Sequence, residues 1–130
     1  TLLWELQRSC LITTLRGISA ERRAVFILIH VLGMTVEGAA EVCDSSPSAV
    51  RVTETRARHD LAGYLGPRCE HMDVGNPCRC ASRLGNALEA GLVDWPEYDD
   101  YEGAPFDPQV QRDVCRLYET LPRVRLPIVK

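Results

Sequence analysis

The sequence predicts an all-α fold, in which a helix-turn-helix bundle is followed by a cysteine-containing connector and a C-terminal helical extension. Two observations support this prediction. Apolar residues recur at intervals of three and four positions, which is the spacing of one helix face. Capping residues, glycines and prolines fall at the ends of these periodic segments, where helices start and stop.

The first two helices are predicted over residues 3–16 and 20–32. The first carries a stripe of residues at helical spacing, with Trp4 beside it: Leu3, Leu6, Cys10, Leu11 and Leu15. Ser19 is placed to cap the second helix, which is the most apolar and is expected to be central and buried. Its apolar run is too short to span a bilayer, and Gly33 is expected to end it.

Residues 33–61 predict two further helices joined by a tight turn. Thr35 caps the first, and Asp44-Ser45 supplies the turn. Ser46 caps the second, with Pro47 at its first position, where a missing N–H costs nothing. The packed face is expected to consist of small and apolar residues: Ala39, Ala40, Cys43, Val50, Ala57 and Leu61. Three residues are expected to break the second helix: Gly63, Gly66 and Pro67.

Arginines on the second of these helices make DNA the leading candidate partner. Arg51, Arg56 and Arg58 lie outside or beside the apolar stripe. A helix in this position of a helix-turn-helix enters the major groove, where arginine binds guanine through two hydrogen bonds. The net charge of −3 opposes phosphate binding, but the excess of acidic residues lies in residues 67–130. Weak DNA binding by this chain alone is therefore expected.

Two groups of residues carry a resemblance to a known family. They are Leu15 to Ile18 with Glu21 to Phe26, and then Gly33, Thr35, Glu37, Ala40, Ser46, Val50-Arg51, Arg56-Ala57-Arg58 and Leu61. Together they resemble region 4 of the extracytoplasmic-function (ECF) sigma factors, over roughly residues 1–90. Glu54 stands where that family usually has an apolar residue, and Thr53 where it often has arginine.

The resemblance implies a bacterial, cytoplasmic protein that directs RNA polymerase to a promoter. Region 4 would recognise the upstream promoter element and dock on the polymerase core, and an anti-sigma factor would be a further partner. No enzyme is expected, because the sequence lacks a glycine-rich phosphate loop and a nucleophile elbow. The candidate DNA contacts, from family position and helix geometry, are Ser46, Ser48, Arg51, Val52, Thr55, Arg56 and Arg58.

A second cluster of functional residue types follows the helix-turn-helix. Four soft metal ligands fall within twelve residues: Cys69, His71, Cys78 and Cys80. Thiolates and imidazole suit tetrahedral zinc, and the turn at residues 75–77 would bring the two halves together. Three interpretations stay open at this point: a metal site, redox-active thiols, or thiols without a special role, either reduced or joined in a disulfide.

The remaining cysteines and His30 are expected to have structural roles. Cys10, Cys43 and Cys115 occupy apolar helical faces, where cysteine acts as a small hydrophobic residue. His30 lies inside the most apolar helix and is expected to be a core histidine with a hydrogen-bond partner.

The chain is divided by its composition into residues 1–66, 67–91 and 92–130. The last part contains an acidic, aromatic stretch over residues 92–106, expected to be an extended linker. One hypothesis is that it covers the arginines of the second helix, so that deleting residues 94–106 would raise DNA affinity. A helix start at Asp107-Pro108 and a helix over residues 110–120 are predicted after it, and Pro122 is expected to end that helix. Because the chain starts at Thr1, it is expected to be a piece of a longer protein.

Two alternative functions come from other classes of protein. One is a stand-alone regulator that senses metal or redox state through the Cys/His cluster and binds DNA as a dimer. The other is a protein-interaction module that mainly docks on polymerase or on an anti-sigma factor.

Overall fold

The computed structural model describes residues 2–91 and 110–121. Within these ranges the chain is helical, and the predicted all-α class is confirmed. The elements are α1 (Leu2–Arg16), α2 (Ala20–Phe26), a π-helical turn (Ile27–Val31), α3 (Val36–Val42), α4 (Pro47–Leu65), α5 (Cys80–Glu89) and α6 (Val114–Glu119). The predicted linker at 92–106, the helix start at Asp107-Pro108 and the end at Pro122 lie outside the described residues.

The main core lies where α1, α2, α4 and α6 meet. Its buried side chains include Leu11, Leu15, Phe26, Ala57, Leu61, Leu65, Val114, Leu117 and Tyr118. The predicted apolar stripe of the first helix is confirmed at Leu6, Leu11 and Leu15. Cys10 was expected on this face but is exposed, which corrects the prediction. Burial of these side chains is the main favourable contribution to folding.

The second predicted helix changes its winding part-way along. Ser19 caps α2, because its Oγ accepts a hydrogen bond from the Arg22 N–H at 3.3 Å. From Ile27 the backbone forms a π-helical turn, in which the Leu32 N–H donates to the Ile27 carbonyl at 2.9 Å. A π-helical turn takes an extra residue, so the side chains that follow it are rotated relative to an α-helix.

That change of winding explains why one expectation was wrong. The whole segment to Leu32 was expected to be buried, but Val25 and Phe26 are the last buried residues of the segment, Ile27–Val31 is only partly buried, and the side chain of Leu32 is 64% exposed. Met34 is also exposed at 37%. Gly33 ends the helical segment as predicted, with a φ of 74°, a conformation that residues with a Cβ rarely adopt.

The helix-turn-helix is capped as the sequence predicts. The Thr35 Oγ1 accepts from the Gly38 N–H at 3.0 Å, and the Ser46 Oγ accepts from the Ala49 N–H at 3.1 Å. The turn between α3 and α4 has Asp44 at a φ of 50°, where aspartate is among the better tolerated residues.

A small second core joins α3 and α4 to the end of α2. Its buried side chains are Val25, Ala39, Ala40 and Val50. Cys43 was also expected here, but it is exposed. It lies at the C-terminal cap of α3, where the helix has already ended. The small residues that allow the close approach are therefore the two alanines.

Helix α4 is longer than predicted. It continues through Gly63 to Leu65 and ends at Gly66. A Cβ built at Gly63 would meet no atom within 4 Å, so the glycine lies in open space and does not interrupt the helix. A Cβ at Gly66 would lie 2.6 Å from the Ala62 carbonyl oxygen, so the end of the helix depends on glycine there.

The last two helices pack on different parts of the domain. Helix α5 begins at Cys80, is followed by Gly91 at a φ of 72°, and contacts α1 through Leu6, Cys80 and Ala87. Helix α6 begins at Val114, later than predicted, because Arg112 has a φ of 54° and the Asp113 side chain caps the helix. Its buried face includes Val114, Leu117 and Tyr118.

Candidate nucleic-acid interface

Helix α4 has one buried face and one exposed face. The buried face consists of Val50, Ala57, Leu61 and Leu65. The exposed positions include every residue that the sequence predicted to contact DNA: Ser46, Ser48, Arg51, Val52, Thr55, Arg56 and Arg58. Val52, an apolar residue, is 50% exposed. The predicted contact residues thus lie along one accessible surface of the helix, which we call the reading face.

The start of α4 presents one backbone donor, the Ser48 N–H, beside two hydroxyls, because Pro47 has no N–H and the N–H groups of Ala49 and Val50 already donate to Ser46. Ser46 uses its Oγ as an acceptor for the Ala49 N–H, which leaves the hydroxyl proton free to donate. Ser48 is exposed in the first turn. The Ser48 N–H, the two hydroxyls and the positive end of the helix dipole favour an anion such as a DNA phosphate here.

The three arginines of the reading face differ in whether an acidic side chain pairs with them. The Arg51 Nη2 lies 3.3 Å from the Glu37 Oε1, and both side chains are more than half exposed, so this ion pair is weak and readily exchanged. The Arg58 Nε lies 3.4 Å from the Glu54 Oε1. Across the described ranges 2–91 and 110–121, the side chain of Arg56 makes no ion pair or hydrogen bond. Arg56 is therefore the arginine most available to an incoming ligand.

Glu54 faces inward and binds a histidine that sequence reasoning had not linked to it. The His30 Nε2 lies 2.8 Å from the Glu54 Oε1, and only 15% of the Glu54 side chain is exposed. The Cys115 Sγ lies 3.6 Å from the same His30 nitrogen. His30 has the expected hydrogen-bond partner, but it is only partly buried and is not the core histidine that was expected; Cys115 is buried as expected. No sequence signal indicated this cluster, because its members come from three separate helical segments.

The loop between α4 and α5 holds the predicted metal ligands. His71 is 2% exposed, Cys69 and Cys80 are each 9% exposed, and Cys78 is half-buried. The Cys80 Sγ lies 3.6 Å from the His71 Nε2. Cys69 and Cys78 are paired by a single parallel β-bridge. Of the four predicted ligands, only His71 and Cys80 fall in a group whose potential ligand atoms all lie within 4.8 Å of one another, and the third member of that group is Glu70 rather than Cys69 or Cys78.

Glu70 is an additional potential metal ligand in this loop, and the ligand spacing in the sequence did not indicate it. Its Oε1 lies 3.8 Å from the His71 Nε2 and accepts a hydrogen bond from the Cys80 N–H at 3.0 Å. Potential ligand atoms of Glu70, His71 and Cys80 all lie within 4.8 Å of one another. The side-chain amide of Asn76 stabilises the loop, because its Nδ2 donates to the carbonyl oxygens of Gly66 and Cys69.

The protonation of the thiols bears on the alternatives for this loop. All six cysteines carry free thiols. Burial raises the pKa of Cys80 to about 12, and the Glu70 carboxylate and the Cys69 thiol add to the effect. Burial also raises the pKa of Cys69. Because the thiolate is the reactive form, these shifts oppose a role as redox-active thiols at neutral pH.

A comparison with protein-family models bears on the helix-turn-helix. Residues 8–61 match the family model for sigma-70, region 4. The matched segment includes the helix-turn-helix and the reading face, and it covers less than half of the 130 residues. The match supports a sigma-factor region 4 helix-turn-helix in this segment and, at a general level, a DNA-binding role in transcription.

The sigma-70 region 4 family is a DNA-binding family of transcription factors and not a family of enzymes. Searches against curated proteins and against solved structures found no match. Among the helices described, none is both long and apolar enough to cross a membrane.

Proposed function

We propose that this chain acts as region 4 of an ECF-type sigma factor in a bacterial cell. In this function α4 binds the upstream element of a promoter in the major groove, and the domain docks on the RNA polymerase core. An anti-sigma factor is the partner that would compete for the same surfaces. The observation that carries the proposal is the exposure of the whole reading face on a capped helix that follows a tight turn.

The residues of the reading face have separate roles in this proposal. Arg56 and Arg51 contact base edges or phosphates, because arginine offers two parallel donors to guanine. Ser46 and Ser48 hold a phosphate at the helix N-terminus. Val52 and Thr55 face the groove between the arginines, where a methyl group can contact thymine.

The ion pair between Arg51 and Glu37 is weak enough for Arg51 to exchange its partner for DNA. Both side chains are largely exposed, so solvent already screens their attraction. A DNA phosphate can replace Glu37 with little loss of free energy. Arg58 is held by Glu54 and sits at the edge of the reading face, so it is expected to contact the backbone of the DNA.

Exposed apolar side chains outside the reading face are candidates for contact with polymerase. Leu32 is 64% exposed and Met34 is 37% exposed, and both lie between the π-helical turn and α3. Exposed apolar groups are common in protein–protein contacts, and DNA offers few apolar partners for them. We therefore assign docking on polymerase to this end of the helix-turn-helix.

The test is selection of DNA by the full chain from a random duplex library, followed by affinity measurements on the enriched sequence. Arg56→Ala should weaken binding of that sequence roughly tenfold, since a lost arginine contact costs about 1–3 kcal/mol. Arg83→Ala is the matched control, because it removes the same charge from an exposed position on α5. It should change the affinity less than about twofold. Equal loss in both variants, or no enriched sequence, would contradict the proposal.

The selected sequence also separates this function from its alternatives. A single asymmetric site supports region 4, whereas a palindromic site would indicate a dimeric regulator. Capture of polymerase core by the chain, without any enriched DNA, would indicate a protein-interaction module.

A further inference from the structure

The loop between α4 and α5 brings three thiols to one side of its backbone. Cys69 and Cys78 are paired across the parallel bridge, and the Glu70 N–H donates to the Cys78 carbonyl at 3.0 Å. Paired residues of a bridge have their side chains on the same side. Arg79 is extended, with φ −116° and ψ 124°, so Cys80 returns to the side of Cys78. The alternation of the backbone thus places Cys69, Cys78 and Cys80 on one side of the loop, although the close group of potential ligands in this structure is Glu70, His71 and Cys80, so the sulfurs of Cys69 and Cys78 would have to move towards a bound ion.

A histidine lies as close to one of these thiols as two ligands of the same metal ion would lie to each other. The His71 Nε2 lies 3.6 Å from the Cys80 Sγ. With zinc bonds of about 2.1 Å to nitrogen and about 2.3 Å to sulfur, two ligands of one tetrahedral ion are separated by about 3.6 Å. The spacing of this pair therefore equals one edge of a zinc tetrahedron. Both side chains are buried, which limits competition from water.

We propose that this loop binds one zinc ion through three thiolates and one imidazole nitrogen: Cys69, Cys78, Cys80 and His71. The ion displaces the three thiol protons into solvent, and its two positive charges offset two of the three thiolate charges. Soft sulfur and imidazole ligands favour zinc over magnesium or calcium. Glu70 accepts the Cys80 N–H and lies beside the ion as a positioning residue.

The site is expected to be structural, because four protein ligands leave no open position on a tetrahedral ion. It would join the end of α4 to the start of α5, since Cys69 lies just after α4 and Cys80 is the first residue of α5. Helix α5 contacts α1 through Cys80 and Ala87. The ion would therefore fix α5 on the surface of α1.

A second group of potential ligands is less suited to a cation. His30, Glu54 and Cys115 also lie within 4.8 Å of one another. However, the guanidinium of Arg58 lies 3.4 Å from the Glu54 oxygen that faces this histidine. A fixed positive charge at that distance repels a divalent ion. We interpret this group as a polar contact that joins α4, α6 and the π-helical turn.

The experiment is metal analysis and native mass spectrometry of the full chain, purified without chelator. Cobalt(II) titration of the chelator-treated protein is a second probe, because its visible spectrum reports tetrahedral sulfur coordination. We expect one zinc ion per chain and a cobalt spectrum with sulfur-to-metal charge transfer. Cys80→Ser and Cys78→Ser should each lower the affinity for zinc at least about tenfold, as the loss of a ligand or of its support does.

Two serine variants are the matched controls. Cys43→Ser removes an exposed thiol, and Cys115→Ser removes a thiol of the second group, so both should keep one zinc ion per chain. Glu70→Gln tests its placement beside the ion and should also keep the stoichiometry. Absence of zinc and of the cobalt spectrum in the parent chain would overturn the proposal. Loss of the ion in Cys115→Ser, with binding kept in Cys80→Ser, would overturn it equally.

A misfolded variant could also lose metal, so folding is measured separately. Helical circular dichroism of each variant should match that of the parent chain. In the parent chain, chelator should increase amide hydrogen exchange in α5 more than in α4. The same increase throughout the chain would contradict a site confined to this loop.

Discussion

Tyr118 is the residue whose substitution best tests how α6 is attached to the rest of the domain. Its side chain is fully buried, its hydroxyl donates to the Leu11 carbonyl at 2.9 Å, and its ring meets Phe26 edge-on at 5.1 Å. One side chain of α6 therefore contacts both α1 and α2. If α6 packs as the structure has it, the stability of the whole domain depends on this tyrosine.

The expected loss can be worked out in two steps. Tyr118→Phe removes one buried hydrogen bond and keeps the ring, which costs about 1 kcal/mol. Tyr118→Ala also empties the space of a fully buried ring, for a total of about 3–5 kcal/mol. Since domains of this size are stable by about 5–15 kcal/mol, the alanine variant should lose a large part of its free energy of unfolding.

Urea unfolding followed by far-ultraviolet circular dichroism measures both losses. Tyr64 is the matched control, because it is 51% exposed on α4 and its ring lies 4.5 Å from the Arg68 guanidinium. Tyr64→Phe should change the free energy of unfolding by less than about 0.5 kcal/mol. A loss below about 1 kcal/mol in Tyr118→Ala would refute the packing of α6 into the core.

Two further predictions concern a helix cap and a buried thiol. Ser46→Ala removes the cap that accepts the Ala49 N–H, and it should lower the free energy of unfolding in urea by about 1 kcal/mol. Ser48→Ala changes the serine two residues after the cap and should lower it by less than about 0.5 kcal/mol. Equal losses in the two variants would show that the cap does not matter. Burial raises the pKa of Cys115 to about 12, so this thiol should remain protonated between pH 7 and about pH 10 and should resist iodoacetamide until the protein unfolds. The exposed Cys43 should react in the folded protein, and mass spectrometry of the digested chain compares the two; comparable labelling of both would contradict the burial of Cys115.

The helix boundaries that the sequence predicted correctly depend on local chemistry. Ser19, Thr35 and Ser46 each accept a backbone N–H three residues later, and this contact requires nothing from the rest of the fold. Gly33 adopts positive φ for an equally local reason. These residues could be read from the sequence because the interaction and its partner lie within one turn.

The errors arose where the winding or the end of a helix departs from the regular pattern. The π-helical turn after Phe26 precedes Leu32, whose side chain is 64% exposed, and the periodicity of the sequence does not indicate this turn. The start of α6 was displaced to Val114 because the backbone at Arg112 is left-handed. Cys43 kept the helical spacing of a packed residue, although α3 had already ended before it.

The candidate sites could be predicted from the sequence only in part. The reading face follows from the position of the arginines around one helix, so a helical wheel is sufficient to find it. The ligand spacing in the loop between α4 and α5 was also visible. The participation of Glu70 and the contact between His30 and Glu54 required coordinates, because they depend on how a loop turns and on two helices meeting. The division of the chain at residues 66 and 91 and the assignment of residues 92–106 as a linker stay predictions.

The hydrogen bond from Tyr118 to Leu11 joins positions that are 107 residues apart along the chain. During synthesis, α1 leaves the ribosome long before α6 exists, and its inward face cannot be covered completely in that interval. Contacts of such large sequence separation close late, since the entropy of a long loop must be lost first. The helix-turn-helix can form early from its local caps, but the packing of α1 and α2 against Tyr118 has to wait for α6. A ribosome stalled before residue 118 would therefore carry an exposed apolar surface on α1 and α2, which is a substrate for chaperones.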